Sequence, residues 1–192
     1  MTLLRTATVL LTALVCGAGS ARAQLGEVQL GGIINYGVPD AFGTGAGVVA
    51  GIAAGRLAYI GVHWSYQRGS TESRDLELER LEITNRVQVF AVDLGLLIPV
   101  GKLELVPGAS VGVMRLAQRI DGPLAQSSRV HGEEFFVAPG FALHVPAVGL
   151  VLIPEAQLYL GGRPNLPRPA SARGLVTALR IVIPIEVGRV RW

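Results

Sequence analysis

Half of this chain is hydrophobic, yet nothing beyond residue 23 is built to cross a bilayer as a helix. Its apolar residues instead alternate with small or polar ones, in runs of about ten, the length and pattern of strands that cross a membrane. A spanning helix needs about twenty apolar residues in a row, and two segments come near. The stretch 135–154 carries no formal charge, but Pro139 and Pro146 lie inside it and Pro154 ends it. Two interior prolines each remove a helical hydrogen bond and clash with the preceding turn, so two strands joined near 146–149 fit better. The stretch 41–55 spaces Gly43, Gly47, Gly51 and Gly55 by four, like a helix-packing face. All four are odd positions, however, so they also share one face of a strand, opposite Val48, Ala50 and Ile52. The strand reading is preferred for both.

The first residues account for part of the hydrophobicity. Arg5 opens a short positive region, an apolar core follows from Ala7 to Val15, and Ala21-Arg22-Ala23 has the small-x-small pattern of a cleavage site. Residues 1–23 are therefore expected to be a cleaved secretory signal peptide, and residues 24–192 one domain. Cys16, the only cysteine, would leave with the signal, so no disulfide, thiolate nucleophile or cysteine metal site is expected. Val15 before it is too large for a lipoprotein cleavage site. Loss of Arg5 and Arg22 brings the formal charge of +3 close to balance. No basic stripe with interleaved aromatics is present, and nucleic-acid binding is not expected.

Period two yields eight strands, near 26–36, 45–53, 57–67, 85–98, 103–114, 134–145, 150–160 and 175–185. The first sets Val28, Leu30, Ile34 and Tyr36 against Glu27, Gln29 and Asn35; the third sets Ile60, Val62, Trp64 and Tyr66 against Tyr59, His63, Ser65 and Gln67. The fourth is the least regular, because its apolar parity drifts around 90–92. Short links at 53–56, 99–102 and 146–149 alternate with longer ones at 37–44, 68–84, 117–132 and 161–173. Charge crowds into 68–86.

Alternation alone does not say which face is inside. The polar face does, since a water-soluble barrel would carry charge at nearly every outward position. Here that face is mostly Gly, Ala, Ser and Gln, and Lys102 is the only lysine. Small residues suit the narrow lumen of an eight-stranded barrel, which side chains fill. The expected fold is all-β: an eight-stranded antiparallel up-and-down transmembrane β-barrel with an apolar exterior, short turns at one end and long loops at the other. A secreted soluble barrel with the apolar face inward is the structural rival.

The segment Val106-Pro107-Gly108-Ala109-Ser110-Val111-Gly112-Val113 and the terminal Trp192, with Val190 two before it, resemble features of the small bacterial outer-membrane β-barrel family, the eight-stranded barrels like outer-membrane proteins A and X. The likeness spans nearly all of the mature chain. It departs at the last residue, which is usually Phe, and at Val187–Val190, where the parity slips. The resemblance implies a Gram-negative outer-membrane location after export, contact with outer-membrane lipid, and insertion by the barrel-assembly machinery.

A luminal polar cluster is expected from Glu27, His63, Gln88, Glu104, His144, Glu155 and Arg180, with Glu155 facing Arg180 and His144 facing Glu104. His63 is expected to bond Gln88 or Ser65. Tyr36, Trp64, Tyr66 and Phe135 fall at the long-loop ends of their strands, where an interfacial girdle would sit, and Trp192 is the candidate for the opposite girdle. His63-x-Ser65 with Glu72 resembles the pair and acid of outer-membrane lipid A deacylases. In this phasing, though, the pair points into the lumen rather than at lipid, and no third group is fixed to orient a base. The reading is thus an outer-membrane barrel with a structural or surface-interaction role carried by its extracellular loops, with no catalysis, cofactor or metal site and an unspecified surface partner. A narrow pore for small solutes is the alternative, and a lipid A-modifying hydrolase the third.

Overall fold

The computed structural model describes residues 25–38, 42–54, 57–76, 79–121, 128–166 and 170–187. The expected signal peptide and Trp192 lie outside these. The strands are β1 (Leu25–Val38), β2 (Gly43–Ala54), β3 (Ala58–Leu76), β4 (Glu79–Leu96), β5 (Ile98–Val100), β6 (Leu103–Asp121), β7 (Ser128–Ala147), β8 (Leu150–Gly161) and β9 (Arg173–Glu186). β4 pairs with β6 as far as Gly95↔Gly108, and β5 resumes on the same partner at Ile98↔Leu105. These two are one barrel strand stepped at Leu97, whose N–H bonds Leu57 O at 2.9 Å. Every strand runs antiparallel to its neighbours, and β9 pairs with β1 from Glu27↔Glu186 to Val38↔Leu175. That pairing closes an eight-stranded up-and-down barrel and leaves no sheet edge.

The pleat sets the two faces. Leu30, Ile34, Val48, Trp64, Phe90, Leu94, Phe135, Phe141 and Ile183 point outward, each 44–62% exposed. Gln29, His63, Ser65, Gln67, Asp93, Ser110 and Arg180 point inward, each at most 5% exposed. The soluble rival, with its apolar face inside, is therefore excluded: the exterior is a continuous apolar belt, far beyond the scattered apolar side chains of a soluble surface.

Two turns at one end are tight. Gly101 and Gly149 have φ of 65° and 72°, left-handed values that a side chain would oppose. The other end differs from expectation. Much of the predicted loops 68–84 and 117–132 is strand, since β3 runs to Leu76, β4 starts at Glu79, β6 runs to Asp121 and β7 starts at Ser128. Past the apolar belt neither face of a hairpin needs apolar residues, so alternation stops there while the hydrogen-bond ladder continues.

The glycines at 43, 47 and 51 are on strand β2, in line with the strand reading, and Gly55 lies outside the described residues. Gly51 and Gly61 lie against the Tyr59 ring, so a Cβ at either would enter it. The lumen accommodates that ring because its neighbours lack side chains. Prolines leave their mark as well. The β7–β8 ladder lapses between Val137↔Leu160 and Gly140↔Gln157, and again between Ala142↔Glu155 and Val145↔Leu152. Pro139 and Pro154 fall in these gaps, where each lacks a donor.

Candidate functional site

The lumen is filled in layers. At the end opposite the tight turns, inward residues of five strands form an apolar plug: Val87, Val89, Met114, Leu116, Phe136, Tyr159 and Val176. Phe42 and Leu166, from the connections after β1 and β8, fold into the mouth and complete it. Phe136 stacks on Tyr159 with ring centroids 4.7 Å apart, and Phe42 leans on the same ring at 5.7 Å.

Below the plug lies a polar network centred on Asp93. Its carboxylate accepts from Ser110 Oγ at 2.5 Å, from Arg180 Nη1 at 2.7 Å and from His63 Nδ1 at 3.0 Å. A carboxylate only accepts, so His63 Nδ1 is the donor of this bond. Arg180 Nη2 reaches Glu155 Oε2 at 2.8 Å, placing one guanidinium between two carboxylates. Gln157 Nε2 donates to Ser110 Oγ at 2.8 Å. A buried guanidinium is tolerable only when paired and hydrogen-bonded in this way. Nearer the tight turns, His144 Nδ1 lies 3.5 Å from Glu104 Oε2 and meets the Tyr59 ring edge-on at 5.8 Å. A small cavity beside the network is lined by Tyr59, Asp93, His144, Glu155, Gln157 and Arg180.

The residues singled out in the sequence divide as follows. His63, Glu155 and Arg180 meet in the central network, His144 and Glu104 form the lower pair, and Glu27 accepts from Gln29 Nε2 at 2.8 Å. Gln88 is a correction. It is exposed on the outer face, opposite Tyr66 and Arg115, because its neighbours Val87 and Val89 are the residues that enter the plug. His63 therefore bonds Asp93, and neither Gln88 nor Ser65. Ser65 is also buried inside, so the His-x-Ser pair does not face lipid. Tyr36, Trp64 and Phe135 point outward and Tyr66 does so half-buried. Trp64 and Tyr66 are mid-strand rather than terminal, since β3 continues to Leu76.

Alternation does not single out Asp93, because apolar residues occupy both faces of β4 around it. One signal marks it: it is the sole formal charge between Arg86 and Lys102. A lone charge inside an apolar strand must find a partner. Among the described residues no group of three His, Cys, Asp or Glu side chains is arranged to hold a metal ion.

A closed eight-stranded antiparallel barrel with an apolar exterior and a packed polar lumen is the architecture of the small outer-membrane barrels. Solved structures agree at the level of the fold. A major outer-membrane protein from Thermus thermophilus is similar with a TM-score of 0.67 and 9% identity, over 83% of this chain and 99% of that one. Ail, the attachment invasion locus protein of Yersinia pestis, solved with the heparin analogue sucrose octasulfate, is similar with a TM-score of 0.53 and 10% identity, over 83% and 97%. No protein-family model and no curated protein matches the chain in sequence.

Proposed function

We propose that this chain is an integral outer-membrane barrel that acts through its exterior and its long hairpins, in a structural or surface-interaction role, and neither conducts solutes nor catalyses a reaction. The sealed lumen carries this reading. Phe42 and Leu166 close one mouth, and the Asp93–Arg180–Glu155 network blocks the middle. What remains accessible is the outer surface, with the β3–β4 and β6–β7 hairpins extending well beyond Trp64 and Phe135. The exposed apolar belt supports placement in lipid. The fold shared with Ail, an attachment protein, supports a surface role.

The test combines two measurements on full-length protein from outer-membrane fractions. A gel band that shifts on boiling is expected, reporting a folded barrel in lipid. Planar bilayers are expected to show no steady single-channel current, and reproducible conductance would overturn the reading in favour of a narrow pore.

A further inference from the structure

On four adjacent strands the outward face changes character abruptly. Trp64, Phe90, Val113 and Phe135 are register partners across β3, β4, β6 and β7. Moving from that row toward the hairpin ends, outward positions become Tyr66 then Arg68 on β3, and Gln88 then Arg86 on β4. On β6 they become Arg115, Ala117 and Arg119, and on β7 Glu133, His131 and Arg129.

Two of the cross-strand pairs so formed are like-charged. Arg68 is paired with Arg86, and Arg119 with Arg129. Like charges directly opposite one another destabilise a sheet, so these pairs do not serve the barrel alone. Asp121 holds Arg119 at 2.8 Å, but Arg68, Arg86, Arg115 and Arg129 make no ion pair among the described residues. Glu133, although the register partner of Arg115, does not reach it as an ion pair. Arg86 Nε is buried without a partner. All five cations are arginines, whose planar fork binds phosphate through two parallel hydrogen bonds and is weakly hydrated.

We propose that this face binds the phosphates of a phosphorylated glycolipid in the leaflet that surrounds the barrel. Its position selects a lipid over a soluble ligand. Arg115, Arg68 and Arg86 lie on the barrel's side, two to four residues past the Trp64–Phe90–Val113–Phe135 row, where acyl chains end and head groups begin, and the Arg119–Arg129 pair follows further out, one pair short of the end of the β6–β7 ladder. The other strands present no such face: among the described residues their outward charge in the belt is Arg173, whose Nε bonds Gly161 O at 3.0 Å.

The inference rests on the outer-membrane placement proposed above, and its test separates the two. Full-length protein is folded into phosphatidylcholine nanodiscs containing either bisphosphorylated or dephosphorylated lipid A, and retained glycolipid is weighed by native mass spectrometry. Wild type is expected to retain the bisphosphorylated form about tenfold better. Arg86→Gln with Arg115→Gln is expected to erase that preference, whereas Arg173→Gln keeps it. Equal retention of both lipids by a folded wild-type barrel overturns this proposal alone, as does a preference that survives the double variant. Stronger capture of a soluble sulfated oligosaccharide than of lipid A overturns it in favour of a soluble polyanion. Failure of wild type to show a heat-shifted band in any lipid overturns the outer-membrane reading as well. Should the double variant not fold, the comparison of the two lipids on wild type still decides.

Discussion

Arg180 on β9 grips Asp93 on β4 at 2.7 Å across the lumen, although β9 and β4 share no ladder. The bond ties opposite walls of the barrel, and Glu155 on β8 holds the other terminal nitrogen, Nη2, of the same guanidinium. A cross-brace of this kind opposes flattening of the cylinder, which ladder bonds between neighbours cannot do.

Removing one partner of a buried ion pair leaves a charge uncompensated and costs about 3–5 kcal/mol. Asp93→Ala leaves Arg180 its pair with Glu155 but takes the acceptor from Arg180 Nη1, Ser110 Oγ–H and His63 Nδ1. A buried donor left without an acceptor costs about 1–3 kcal/mol, so a loss of at least that size is expected. Glu133→Ala on the exposed outer face is expected to stay within about 0.5 kcal/mol of wild type. Urea unfolding of the barrel in vesicles measures both, and equal midpoints would show that the network does not hold the lumen.

Orientation is tested at Ile181, which points outward and is exposed in the isolated chain. Arginine at the midplane of a barrel's lipid face costs about 2–4 kcal/mol, so Ile181→Arg should destabilise by that amount in vesicles. A cysteine at Ile181 should resist a water-soluble thiol reagent in intact membranes, whereas one at Arg129, next to the 122–127 connection, should react from outside the cell. Rapid labelling at Ile181 would mean that water, and not lipid, covers the belt.

The glycines separate close approach from open space. A Cβ at Gly51 would enter the Tyr59 ring, while one at Gly32 meets nothing nearer than Gly47 O at 3.8 Å. Overpacking of a filled core costs about 1–3 kcal/mol, so Gly51→Val should lower the temperature of the heat-shift transition and Gly32→Ala should not. Similar transitions for the two variants would contradict the tight packing around Tyr59.

Phe42 tests the plug. It is 2% exposed and packs on Tyr159, and truncating a buried phenylalanine to alanine costs about 3–5 kcal/mol. Phe42→Ala should be less stable yet electrically silent, because the polar network still fills the middle of the lumen. Stepwise current from this variant would make the plug a gate over a usable pore.

Several features were legible in the amino-acid sequence. Period-two alternation named the strands, and the scarcity of charge on the polar face said which face is inside. The spacing of the strands also placed His144 beside Glu104 and Arg180 beside Glu155. These follow from local physics: the pleat sends successive side chains to opposite faces, and a hairpin's turn sets its register.

Other features were decided only when the barrel closed. Val87, Val89 and Ala91 face a plug assembled from five strands and two connections, so β4 is apolar on both sides and its parity could not be read. For that reason alternation points Gln88 to the wrong face and gives Asp93 no distinct position. The length of the β3–β4 and β6–β7 hairpins was hidden because, past the apolar belt, no burial demands alternation. The Asp93–Arg180 brace and the row of arginines on four strands exist only in the cylinder, where residues far apart in the chain are brought together by register and curvature.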